Sequence, residues 1–250
     1  MGLLAGSARA GDQTVLGKSI VVKSTPGDAT RRRVTGSGKE KQSPNTLVGD
    51  PTTAGAVLTI VANGGTPSVQ TLVLNQGTSS GGQPFWSGDA VRGFTYRDPN
   101  GEQGAAQRVS IRRSGSGSFA IKISLSGKSG PLAIVPPNPG TDACVALQLS
   151  ADGTSGDRYS VQFGPESTIT NDGDRLFKAK HPLVEGVCPT VVTTTTTSPS
   201  STTMIDRCCV ADVCERLNPP GCFAAGGIPI GDGECEPNPC VGLTTTTTLP

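Results

Sequence analysis

The sequence predicts an all-β protein: an antiparallel β-sandwich of about nine short strands, followed by a small disulfide-rich module. Three observations lead there. Gly (34) and Pro (20) punctuate the 250 residues, while aromatics are only 4%, a supply suited to short strands and Gly-rich turns rather than long helices. Several segments alternate apolar and polar residues with a period of two. Six of the 8 cysteines crowd between Cys208 and Cys240, a density typical of disulfide scaffolds.

Residues 1–10 read as the remnant of a signal peptide. Ala8-Arg9-Ala10 has the A-x-A form of a cleavage site, which makes Gly11 the first mature residue. The apolar stretch before it is shorter than the roughly 7–15 residues an export signal needs, and no basic region precedes it. The true start is therefore expected upstream.

Residues 11–189 read as the sandwich. Strands are expected at Val15–Lys23, Ala56–Ala62, Val69–Asn75, Ala90–Arg97, Gln107–Arg113, Phe119–Leu125, Cys144–Leu149, Arg158–Phe163 and Leu176–Lys180. Gly64-Gly65 and Pro67 between the second and third predict a hairpin. Period two puts Val109, Ile111, Phe119, Ile121, Ile123 and Leu125 on a buried face. Arg108, Ser110, Arg112, Lys122 and Ser124 then face outward. The Pro-rich stretch from Gly127 to Asp142 reads as an extended edge or a crossover.

Residues 190–203 and 244–250 are Thr-rich linkers, with unbroken threonine at Thr193–Thr197 and Thr244–Thr248. Such segments carry too little apolar surface to offset the entropy of folding, and their hydroxyls are candidates for O-glycosylation. Between them, residues 204–243 form the six-cysteine module: Cys208, Cys209, Cys214, Cys222, Cys235 and Cys240. So small a segment needs covalent staples. The sequence does not choose among the fifteen possible pairings. Zinc is the competing reading, fitted poorly by vicinal cysteines and by export. Cys144 and Cys188, the two cysteines of the sandwich, are expected to pair, with Cys144 opening its strand and Cys188 closing the domain.

The net charge is +1, so the whole molecule has no strong attraction to nucleic acid or to an anionic membrane. The charge is uneven: 18 Lys/Arg against 14 Asp/Glu over residues 11–189 give +4, and 2 against 6 over 204–240 give −4. The densest basic run, Arg31, Arg32, Arg33, Lys39 and Lys41, has the chemistry to attract phosphate, DNA or an anionic polysaccharide. Without interleaved aromatics for base stacking, it reads as a solvated loop. No apolar run approaches the roughly 20 residues of a membrane span.

Catalysis is not expected. His181 is the single histidine, so a triad or a Cys–His pair would have to use it, and no nucleophile elbow accompanies it. Asp98-Pro99-Asn100-Gly101-Glu102 and Asn171-Asp172-Gly173-Asp174 faintly resemble calcium loops, but turn chemistry accounts for both. No metal and no cofactor are assigned. Trp86 and Tyr96 are candidate ligand contacts for a sugar platform, set against the stronger expectation that the few large aromatics fill the core.

The cysteine segment, with Cys208-Cys209, Cys214, Cys222, Gly226-Gly227, Gly231-Asp232-Gly233, Cys235 and Cys240, resembles the short cysteine-rich repeat of multi-modular secreted bacterial proteins, a repeat with no established function. Pro229 stands where that pattern would place an aromatic. More loosely, the sandwich with Gly156-Asp157-Arg158-Tyr159, Cys188-Pro189 and a threonine run is similar to repetitive domains of such proteins. The resemblance implies a secreted or cell-surface, Thr-linked modular protein and supplies no catalytic residue. The function expected is a non-catalytic structural or adhesive module, with carbohydrate binding or protease inhibition as alternatives. Its partners would be extracellular or cell-surface glycans or proteins.

Overall fold

Period-two alternation runs through the first of two compact units, Met1–Thr190 and Val191–Pro250, and sorts its side chains onto two facing sheets. The computed structural model describes residues 11–152, 155–164, 166–189, 206–210, 213–217 and 228–229. In the first unit the chain passes from sheet to sheet, mostly in antiparallel pairs. The strands are β1 (Asp12–Thr14), β2 (Gly17–Thr25), β3 (Asp28–Glu40), β4 (Ala56–Gly64), β5 (Ser68–Leu74), β6 (Trp86–Asp89), β7 (Gly93–Arg97), β8 (Ala106–Arg113), β9 (Phe119–Ser126), β10 (Gly140–Gln148), β11 (Arg158–Phe163), β12 (Thr168–Asp172) and β13 (Leu176–Lys180). One sheet has five strands, ordered β1-β11-β10-β4-β5. The other has eight, ordered β12-β13-β2-β3-β9-β8-β7-β6. All pairs are antiparallel except β1 with β11. The all-β, two-sheet architecture is the one expected.

The core between the sheets takes one face of every long strand. Leu58, Ile60, Val145, Leu147, Tyr159, Val161 and Phe163 come from the five-stranded sheet. Ile20, Val22, Val34, Val109, Ile111, Phe119 and Ile121 come from the eight-stranded one. The inward row of β3 is unusual, because Gly36 and Gly38 follow Val34. A Cβ on Gly36 would lie 2.9 Å from Ile123, and one on Gly38 would lie 3.0 Å from both Val15 and Val161. The inward space over the middle of β3 is therefore already filled, by Ile123 of the neighbouring β9 over Gly36 and by Val15 and Val161 over Gly38, and glycine there reflects packing space rather than a turn.

Several strands depart from the expected boundaries. β3 is the longest strand, and its Arg31-Arg32-Arg33 run is a paired strand rather than a solvated loop. Basic and Gly-rich composition hid it, because propensity weakens when both flanking strands supply the hydrogen bonds. Ala90–Arg97 is not one strand: residues 90–92 turn between β6 and β7, with the Asp89 carboxylate accepting the backbone N–H groups of Val91 and Arg92. Cys144 sits in the middle of β10 instead of opening it. The predicted hairpin is β4–β5. The Pro-rich stretch after β9 is the crossover to β10, and it buries Leu132 and Ile134 in the core.

Cys144 and Cys188 are bridged, with Cα atoms 5.6 Å apart. Cys144 lies on the outer face of β10, so the bridge straps the segment after β13 over the five-stranded sheet. Arg158 reinforces the strap by donating to the Cys188 carbonyl at 3.1 Å.

In the second unit, β14 (Asp206–Val210) pairs with β15 (Val213–Leu217), setting Cys209 opposite Cys214, and β16 (Ile228–Pro229) lines the other side of β14. Cys214 is disulfide-bonded. Cys222, Cys235, Cys240 and both threonine runs lie outside the described residues.

The bridge closes a loop of 44 residues, which in a chain-entropy account is worth about 4 kcal/mol. A Cys144→Ala/Cys188→Ala chain is expected to melt about 8–16 °C lower, given roughly 2–4 °C per kcal/mol for a domain of this size. An unchanged thermal transition by circular dichroism would show that the strap contributes nothing.

Candidate functional site

The eight-stranded sheet has two unlike faces. Its inner face is core. Its outer face holds cations separated by small hydroxyl residues, and strand register sets them in rows. One row, read across the strands, is Lys178, Val21, Thr35, Ser124, Arg108 and Arg97. The next is Lys180, Ser19, Ser37, Lys122, Ser110 and Thr95. Lys39, Ala120 and Arg112 make a third, and Lys23 beside Arg33 a fourth. With strands about 4.8 Å apart, Lys180 and Lys122 are about 14 Å apart along their row, and Lys39 and Arg112 about 10 Å.

Short side chains between the cations keep the face open. Ser19 and Ser37 lie hydroxyl to hydroxyl at 3.3 Å. Ser110 and Thr95 point outward as their register requires, yet are nearly covered, because small residues in mid-sheet sink beneath the longer arginine and lysine stems around them. Shallow depressions follow the rows. One is lined by Lys18, Lys39, Arg108 and Lys122, another by Arg92, Arg112 and Arg113, and a third by Lys23, Arg33 and Lys178.

Among the described residues none of the row cations forms an ion pair, and Arg92 lies in the field of the Asp89 carboxylate. Among the described residues the ion pairs are Arg31–Asp28, at the β2–β3 turn, and Arg158–Asp12, on the other sheet. The carboxylates are occupied locally. Asp28 accepts from Thr30, Asp89 from its own turn, and Glu102 from Ser80. These hydrogen bonds hold all three below the ordinary carboxylate range. The lysines crowd one another instead. The Lys178 ammonium is held below the usual lysine range, first by the close approach of the Lys180 amine and its charge, then by desolvation and the charge of Lys23.

Charge of one sign, left unpaired on an open surface, is costly in self-repulsion and becomes favourable when a polyanion covers it. No protein-family model, curated protein or solved structure matches this chain. The reading of the face therefore rests on its own chemistry.

Other sequence-derived candidates lie elsewhere. Trp86 and Tyr96 are 3% and 1% exposed. Their rings meet edge to face at 5.3 Å, and the Trp86 indole N–H donates to the Leu74 carbonyl. A sugar platform needs an exposed ring face, and neither has one. The core role, the stronger of the two expectations for these rings, is the one their burial bears out. Phe85, Phe94, Phe119, Tyr159, Phe163 and Phe177 are buried too, so the whole aromatic supply of the first unit is core. Cys144 is committed to its disulfide and is not a nucleophile. In the first calcium-like loop, the two Asp98 oxygens accept the backbone N–H groups of Glu102 and Gln103. In the second, Asn171 is hydrogen-bonded both ways to Gly140. Among the described residues no cluster of three or more His, Cys, Asp or Glu has metal-binding geometry, and no helix is long and apolar enough to cross a membrane.

What sequence reasoning missed is the extent of the face: Arg108, Arg112 and Lys122 were expected outward, while the cations of β2, β3 and β13 were not set beside them. The available signal was the alternation of Arg31, Arg33 and Lys39 at odd positions with Val34, Gly36 and Gly38 at even ones.

Removing one charge should relax the crowding. In Lys180→Ala the Lys178 titration, followed by the ¹³Cε shift, is expected to move up toward the ordinary lysine range. No movement would mean that the two ammonium groups do not sense each other.

Proposed function

We propose that this chain is an exported, non-catalytic adhesive module that holds anionic polysaccharide against the outer face of its eight-stranded sheet. The observation that carries the reading is the set of registered rows of cations, none of which forms an ion pair among the described residues. Carboxylate- or sulfate-bearing sugars offer repeated anions along a stiff, hydroxylated chain, and the face offers repeated cations interleaved with Ser and Thr. Such binding gains through counterion release and many weak contacts rather than one deep pocket, which suits a flat sheet.

Nucleic acid carries the same charge, but ungrooved binding of single strands relies on aromatic stacking, and the first unit's rings are all interior. The burial of Trp86 and Tyr96 likewise favours charge over ring stacking as the means of holding sugar. The absence of catalysis is supported by carboxylates engaged in capping their own turns and by His181 standing as the single histidine. Export is supported by the Cys144–Cys188 bridge, since disulfides persist in oxidising compartments. Within this reading, the threonine runs and the cysteine module serve as spacer and covalently stapled companion.

The test is retention on immobilised dextran sulfate and polygalacturonate, with uncharged dextran as control. Retention is expected on the anionic polymers alone, falling steeply with salt. Lys39→Gln, Lys122→Gln and Arg108→Gln are each expected to weaken binding about fivefold, from roughly 1 kcal/mol per surface cation against an anionic surface. Val73→Gln, on the other sheet, should leave binding unchanged. Equal retention on plain dextran, indifference to the three substitutions, or tighter binding to single-stranded DNA would each overturn the proposal.

A further inference from the structure

Asp157 is a carboxylate 1% exposed, and the structure gives it hydrogen bonds but no cation. Its Oδ2 accepts the Val48 N–H at 2.7 Å and the Thr46 hydroxyl at 3.2 Å. The Tyr159 hydroxyl lies 3.0 Å from the same oxygen and 2.7 Å from the Thr46 carbonyl, sharing one proton between them. Among the described residues its Oδ1 accepts one hydrogen bond, from the backbone nitrogen of Gly11 at 3.0 Å. The adjacent Arg158 turns away, its guanidinium reaching Asp12, Ser160 and the Cys188 carbonyl. No described Lys, Arg or His forms an ion pair with Asp157. Burying an ionised carboxylate without a counter-charge is costly. Of its donors, Gly11 nitrogen alone can become a cation, and only by becoming a chain terminus.

The residues before it fit that change. Ala8 and Ala10 occupy the two small-residue positions of an export cleavage site,. We propose that hydrolysis of the Ala10–Gly11 bond by a signal-peptidase-type protease is a maturation step whose product, the Gly11 ammonium, seats on Asp157 as its counter-ion. Water breaks the C–N bond, Ala10 leaves as a carboxylate, and the Gly11 nitrogen takes up a proton. The amide donor at 3.0 Å is thereby replaced in place by a charged one, and charge-assisted hydrogen bonds are roughly twice as strong as neutral ones. Gly11 is already docked for this: its carbonyl accepts the Arg158 N–H at 3.0 Å, and β1 continues from it in parallel register with β11. The Tyr159 hydroxyl is pushed above its ordinary range by burial first and by the charge of Asp157 next, so it stays a donor to that carboxylate.

The maturation step rests on the export proposed above; the ion pair does not. Three full chains ending at Pro250 separate them: one starting at Gly11 with a free amine, the same chain N-acetylated, and one starting at Ala10. The Gly11 chain is expected to show a roughly tenfold larger folding equilibrium constant, read as a melting temperature about 3–5 °C above both others. The gap should close in Asp157→Asn. Equal melting of the three chains overturns the ion pair, even if Asp157→Asn fails to fold, and so does a gap that persists in Asp157→Asn. Intact-mass analysis of the protein recovered outside the producing cell is expected to give Gly11 as its first residue. Any other first residue overturns the maturation step.

Discussion

Everything on the first unit's larger sheet depends on the register that locks β3 between β2 and β9. Side chains alternate with a period of two residues along a strand, so a slip of one residue would carry Arg31, Arg33 and Lys39 toward the core and Val34 into water,. The pairings Thr35 with Val21 and Ser124, and Ser37 with Ser19 and Lys122, prevent that slip. Gly36 and Gly38 fit the same register, since the inward space over Gly36 is filled by Ile123 of the neighbouring β9 and that over Gly38 by Val15 and Val161. The core's demand for space on one side thus fixes where charge must go on the other.

The smaller sheet is organised differently. Its outer face is rich in valine and threonine, with Val69 and Val73 partly in solvent, its Arg158 is paired with Asp12, and the Cys144–Cys188 strap covers part of it. Its edge is closed by β1, held through the buried Asp157 and Tyr159 at the start of β11. A molecule of net charge +1 can therefore present a strongly positive surface, because its acids cap turns and line edges while its bases share one face. Net charge alone hides this, which is why exclusion by composition says little about a polyanion partner.

How much was legible follows from the same physics. β8 and β9 alternate cleanly and were readable with their inward and outward residues, as was the β4–β5 hairpin from Gly64, Gly65 and Pro67. The Cys144–Cys188 bridge followed from there being two cysteines to pair. β3 was not legible, because Arg31-Arg32-Arg33 and Gly36-Ser37-Gly38 lack strand propensity and are held between β2, the preceding strand, and β9, distant in sequence. β1 and β12 are short edges whose pairing partners lie far along the chain. The cationic face was legible only in its β8 and β9 members, Arg108, Arg112 and Lys122: the rest come from four other strands, and only register makes them neighbours. The role of Asp157 was equally hidden, because Gly156-Asp157-Arg158-Tyr159 reads as a turn until Gly11, Thr46 and Val48 are brought to it from the other end of the domain.

The most direct test of the central claim is to map backbone amide shifts by NMR as a sulfated polysaccharide is titrated into the isotope-labelled full chain. The account predicts that the perturbed amides cluster at Thr35, Ser37, Lys39, Arg108, Lys122 and Lys178, on strands far apart in sequence, while Thr59, Thr71 and Val73 on the other sheet stay still. Perturbations confined to loops or to the five-stranded sheet would contradict it.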